Sequence, residues 1–213
     1  MSPSAWDDLP ELPEGAFDKA DTALDARFYE VPRLVTHIDD TAIAAVTALY
    51  RALVPAGAVV LDLMSSWVSH LPPETAYAEV IGLGMNAEEL AANARLTRRI
   101  VRDLNERPLL PLEKEGVDAA LICVSIQYLQ RPVSVLRDVA RVLRPGGVVA
   151  ITFSNRCFPT KAVAIWQALS GPEQCRLVAL YLRRAGFDGI EARQLVPAHG
   201  SDPLWGVWGY KPG

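Results

Sequence analysis

The chain has 213 residues, a formal charge of −4 and 50% hydrophobic residues, which suits one self-supporting globular domain and excludes a chain that is disordered throughout or folds only around metals or disulfides. With 25 acidic against 21 basic residues it lacks the clustered positive charge of a phosphate-backbone binder, so nucleic acid is not an expected partner. Cys123, Cys157 and Cys175 are scattered and odd in number, which fits a reducing cytoplasm, and no run approaches the roughly 18 apolar residues of a membrane span.

Residues 1–38 carry Pro3, Pro10, Pro13 and Gly15 among acids and isolated aromatics. They read as an irregular arm or cap lying across a domain that occupies residues 39–213. The acidic, proline-rich start is unlike a secretion signal. Asp39 or Asp40 caps a helix whose apolar positions Ile43, Val46, Leu49, Tyr50 and Leu53 recur at three- and four-residue steps, and Pro55 and Gly57 stop it. Residues 58–63, Ala-Val-Val-Leu-Asp-Leu, read as a strand buried on both faces. Residues 77–83 follow as a second strand, 87–94 as a short helix and 99–104 as a third strand.

Residues 117–125 form a strongly apolar fourth strand, and the next helix presents Leu136, Val139, Ala140 and Leu143 on one face. Pro145-Gly146-Gly147 ends that helix and turns into a fifth strand, 148–153. Helices over 160–169 and 173–185, then extended pieces at 188–196 and 204–211, complete the chain. Continuously apolar strands alternating with helices predict a parallel sheet covered on both faces, with ligands bound beyond the carboxyl ends of the strands.

Over residues 40–155 the chain resembles the class I S-adenosylmethionine-dependent methyltransferases of the small-molecule type. The likeness is carried by Val117-Asp118-Ala119-Ala120-Leu121 through Tyr128-Leu129, and by Arg141-Val142-Leu143-Arg144-Pro145-Gly146-Gly147 ahead of an apolar strand. It implies an α/β, Rossmann-like sheet of seven strands in the order 3-2-1-4-5-7-6 with the last antiparallel, S-adenosylmethionine across strands one to three, and methyl transfer to a small-molecule substrate. Asp62 matches the family's acid at the end of strand one. Asp103 and Leu104 match its adenine contact, the acid meeting the amino group and the next backbone amide meeting the ring.

Two positions depart from that pattern. The family's glycine-rich turn is Met64-Ser65-Ser66-Trp67-Val68 in this chain, and the acid that accepts from both ribose hydroxyls aligns with Gly84. Either Ser65, Ser66 and Ser69 replace backbone amides while Asn86 reaches the ribose, or the fold serves as a binding protein without transfer activity. A nicotinamide-dependent dehydrogenase is disfavoured, because no GxGxxG follows strand one.

His70 follows the strand-one turn, where an imidazole takes a proton from a nucleophile or simply bonds the turn. Tyr128, after strand four, reads either as a catalytic hydroxyl or as a core ring. Substrate-facing candidates are Tyr29, Arg33 and His37 from the arm, Gln127 after strand four, and Asn155 and Arg156 after strand five, Arg156 as the partner of an anion. Lys161 opens a helix and reads as solvated or as an anion contact. His37, Asp39 and Asp40 have no second cluster to complete a metal site, so no metal is expected.

Overall fold

The computed structural model describes residues 9–213. The arm contains a single turn of helix, α1 (Asp25–Phe28), and is followed by α2 (Asp40–Leu53), β1 (Val59–Leu63), β2 (Glu79–Gly84), α3 (Ala87–Ala92) and β3 (Arg98–Val101). Then come β4 (Val117–Cys123), α4 (Pro132–Val142), β5 (Leu143–Ser154), α5 (Ala164–Ala168), α6 (Gly171–Ala185), β6 (Asp188–Val196) and β7 (Leu204–Tyr210). The seven strands lie in the order β3-β2-β1-β4-β5-β7-β6. β7 runs antiparallel to both its neighbours and the remaining pairs are parallel.

Strand alternation explains the two-sided burial. Leu61, Leu63, Ala120, Ile122, Val149, Ile151 and Phe153 face one core with α4 and α6. Val60, Ala119, Leu121, Val148 and Ala150 face the other with Val46, Leu49 and Tyr50 of α2. Fully burying each large aliphatic contributes about 1.5–3 kcal/mol, so a strand apolar at every position is stable only when covered on both sides. Asp39 caps α2 by accepting from the Ala42 N–H at 2.9 Å, and Gly186, at φ 92°, ends α6 in the left-handed conformation that glycine adopts without penalty.

Several element ends differ from expectation by a few residues, and three of the differences have structural consequences. β3 stops at Val101, which leaves Asp103 and Leu104 in the turn beyond it. α4 stops at Val142, so Leu143 opens β5 instead of closing the helix face. The helix expected over 160–169 shrinks to Ala164–Ala168 because the arm holds the segment before it: Asp21 N–H donates to the Thr160 carbonyl, and Lys19 bridges Val163.

The arm is fastened by core contacts and by charge. Leu9 and Ala16 are buried, and Phe17 packs on Tyr181. Residues 1–8, including Pro3, lie outside the described residues. Lys161 is not solvated: its side chain is 0% exposed and reaches Asp21 at 3.1 Å, Asp25 at 3.2 Å and the Ala23 carbonyl at 2.7 Å. Lys19 meets the other Asp25 oxygen at 2.5 Å. Burial alone raises the Asp25 pKa, but hydrogen bonds from Lys19 and Asn105 outweigh it and hold the carboxyl below the usual range. No helix among the described residues is long and apolar enough to cross a membrane.

Candidate functional site

The strands β1, β2, β4 and β5 end at one edge of the sheet, and the loops leaving them, with the arm above, enclose a cavity of about 600 Å³, within the range of small-molecule sites. Asp62 stands at its floor, 4% exposed. Burial raises its pKa to about 6, against the opposing pull of hydrogen bonds from Ser65 and Ser69. Both hydroxyls donate to Oδ2 at 2.6 Å, while Oδ1 accepts from none of the described residues. The glycine-free turn is bent into shape regardless: Met64 has φ 57° and His70 φ 50°, conformations that cost a residue with a side chain about 1–2 kcal/mol each.

The turn closes against β2. Ser65 N–H donates to the Leu83 carbonyl at 2.8 Å, and a Cβ placed on Gly84 would collide with the Ser65 carbonyl oxygen. The side chain expected to stand in for the missing acid, Asn86, is already committed. Its oxygen caps α3 by accepting from Glu88 and Glu89 N–H, and its amide donates to the Tyr29 and Glu30 carbonyls of the arm. The expected ribose acceptor is therefore a helix cap and an arm clamp. Glu89, 8% exposed, holds the space beside it. One carboxylate oxygen accepts from the Ser66 hydroxyl at 2.6 Å and the other from Arg33 N–H at 2.7 Å.

On the β3 side, one Asp103 oxygen accepts from Asn105 N–H at 2.8 Å, and the Leu104 N–H takes no partner among the described residues. On the β4 side the backbone turns through Val124 at φ 42°, strain that a β-branched residue shows at functional corners. Gln127 braces this corner: it is wholly buried, donates to the Val124 carbonyl at 2.9 Å and does not line the cavity. The neighbouring Ser125 does line it, with a buried hydroxyl that has no partner among the described residues. Tyr128 lines the cavity too, though its hydroxyl accepts from Phe158 N–H at 2.9 Å and its ring stacks on Phe158. Burial raises its pKa to about 12.

The arm supplies the roof. Arg33 lies over the rings of Phe28, at 4.5 Å, and Phe158, at 5.4 Å, and donates to the Phe28 carbonyl. Tyr29 and His37 join the lining, and Trp67 donates to the Val35 carbonyl at 3.0 Å. His70 is held below the ordinary imidazole pKa first by burial and then by His37, and burial likewise lowers His37. Arg156 reaches the rim but is paired with Asp202 at 2.8 Å, and Asn155 points away from the lining, accepting from the Ser154 hydroxyl. Among the described residues no group of three or more His, Cys, Asp and Glu is placed to hold a metal ion.

The cavity thus gathers Asp62, Ser65, Ser66, Asn86, Asp103, Leu104, His70, Tyr128, Tyr29, Arg33, His37 and Arg156, and leaves out Gln127 and Asn155. It adds Glu89 and Ser125. Ser125 closes the expected fourth strand, 117–125, and lies just beyond the observed β4, where it joins the lining. Glu89 was not legible in the sequence, because an acid in a first helical turn is ordinary.

A family model described as a methyltransferase domain matches residues 65–151. No curated protein sequence matches the chain. Three solved structures show the likeness of fold. A chain from the complex of the Haloferax volcanii Trm112 methyltransferase activator with its candidate methyltransferase is 18% identical, with TM-score 0.61 over 82% of this chain and 91% of that one. The S-adenosylmethionine-dependent methyltransferase from Mesorhizobium loti is 17% identical, with TM-score 0.56 over 78% and 97%. Phosphoethanolamine N-methyltransferase 2 from Haemonchus contortus, in complex with S-adenosyl-L-methionine, is 17% identical, with TM-score 0.59 over 80% and 52%.

Proposed function

We propose that the chain, whose residues 65–151 match a methyltransferase-domain model and whose fold is that of S-adenosylmethionine-dependent methyltransferases, transfers a methyl group from S-adenosylmethionine to a small molecule held under the arm. The observation that carries this reading is the convergence of Asp62, Asp103 and His70 on one cavity at the carboxyl ends of the strands. The residues fit the donor's chemistry. Asp62 offers a buried carboxylate oxygen to an ammonium, and Asp103 with the Leu104 N–H offers an acceptor and a donor to an adenine edge. Ser65 and Ser66 act indirectly, by shaping Asp62 and Glu89.

S-adenosylmethionine, when bound, supplies a methyl group on a positively charged sulfur, ready for in-line attack. The chain's own part is orientation and water exclusion. The arm, residues 1–38, acts as the cap of the domain at 39–213, and Tyr29, Arg33 and His37 face the substrate with Tyr128 and the Phe158 loop below. His70, neutral near pH 7 because burial and His37 lower its pKa, takes the proton from an acceptor that carries one. The three free thiols suit a reducing cytoplasm.

A thermal-shift experiment tests the reading. At 100 times its dissociation constant, S-adenosylmethionine adds about 2.7 kcal/mol of stability, which at this length raises Tm by roughly 5–11 °C. An unmoved Tm at millimolar ligand would leave a methyltransferase fold with some other occupant.

A further inference from the structure

We propose that Glu89, on the helix after β2, supplies the acid that the end of β2 lacks, and accepts the vicinal hydroxyls of the bound nucleoside. The proposal rests on the reading of the cavity as the S-adenosylmethionine site.

Three observations lead to it. First, Gly84 cannot be the place: the Ser65 carbonyl fills the space above it, so no side chain at position 84 fits there. Second, Asn86 is spent, with its oxygen on two backbone amides and its nitrogen on two carbonyls. Third, Glu89 is a carboxylate more than nine-tenths buried in the wall of the same cavity, and no salt bridge pairs it among the described residues. An ionised carboxylate offers about four acceptor sites. Glu89 uses two, one on the Ser66 hydroxyl and one on Arg33 N–H, and a pair of adjacent hydroxyls matches what remains.

The same two contacts give Glu89 a second consequence. It ties the glycine-free turn, through Ser66, to the arm, through Arg33, so an acid facing the nucleoside also holds the roof over it. This arrangement differs from an acid at the strand end, which touches the ligand without touching a cap. Ser66, at the centre of the glycine-free turn, finds its reason in that link, because a glycine there would leave Glu89 without its hydroxyl donor.

The test is calorimetric and needs no methyl acceptor. S-adenosylhomocysteine and its 2′-deoxy and 3′-deoxy counterparts are titrated into the parent protein, Glu89→Gln and Ser66→Ala. The parent should bind the deoxy compounds roughly 10- to 100-fold more weakly than S-adenosylhomocysteine, the range for a lost hydrogen bond to a charged group. Glu89→Gln should bind S-adenosylhomocysteine more weakly by a similar factor and discriminate little among the three compounds. Ser66→Ala, which keeps the carboxylate, should keep the discrimination.

A full deoxy penalty persisting in Glu89→Gln would assign the hydroxyls to another group and overturn the proposal while leaving the donor reading intact. So would a parent that binds all three alike. Absence of any heat in the parent with S-adenosylhomocysteine would overturn the donor reading itself, and the role of Glu89 with it.

Discussion

Ser65 sits on Gly84: its N–H bonds the Leu83 carbonyl at 2.8 Å, and its own carbonyl occupies the room that a Cβ on Gly84 would need. Glycine at the end of β2 is thereby a packing requirement of the glycine-free turn.

Restoring the family's acid at that point should fail. Gly84→Asp forces either the strand or the turn to move, and overpacking of this kind costs about 1–3 kcal/mol. Lower Tm together with weaker S-adenosylhomocysteine binding is the expected result of melting and calorimetry on this variant. A Gly84→Asp protein that binds more tightly than the parent would show that the turn yields easily.

Lys161 is fully buried beside Asp25 and the partly exposed Asp21; removing it takes one of two cations from Asp25, which keeps Lys19, and leaves the Ala23 carbonyl without its donor, at about 1–3 kcal/mol. Lys161→Met should therefore lower Tm by roughly 2–12 °C and expose the arm near residues 19–25 to protease. A melting curve matching the parent's would mean that the arm is held by its apolar contacts alone.

This cluster also marks where sequence reading stopped. The parallel sheet was legible because residues 58–63 and 117–125 are apolar at nearly every position, which only a doubly covered strand tolerates. Asp62, Asp103 and the turn after Asp62 were singled out because they align with motif positions of the family the chain resembles, and the structure gathers them on one cavity. Lys161 was not legible, since its partner carbonyl on Ala23 is 138 positions away and a lysine opening a helix is usually solvated. Asn86 misled for a related reason: its chemistry suited a ribose, but nothing local shows that the arm and the helix amides use all of it.

Asp62 makes the site sensitive to pH. Folding raises its pKa from 3.8 to about 6, so its contribution to stability is full below about pH 4 and is lost as pH rises through about 6. The shift corresponds to about 3 kcal/mol. An ammonium at Oδ1 favours the charged carboxylate, so S-adenosylhomocysteine affinity should increase with pH through about 6, with protons released on binding. Titrations in buffers of different ionisation heat measure that release, and Asp62→Asn should abolish it. Flat affinity in the parent across this range would remove Asp62 from the contact.

His70 and His37 are coupled. Replacing His37 by Gln removes the like charge that adds to burial in lowering the His70 pKa, so the His70 C2–H resonance should titrate at higher pH in that variant than in the parent. An unchanged midpoint would make burial the whole cause.

The most direct measurement is a calorimetric titration of S-adenosylhomocysteine into the unmodified protein at neutral pH, alongside Asp103→Ala. The expected result is saturable binding at one site per chain, weakened in the variant by about 1–3 kcal/mol, the range for an unpaired buried donor. Equal binding by parent and variant would put the adenine elsewhere. No heat from the parent would contradict the assignment of this cavity to a methyl donor.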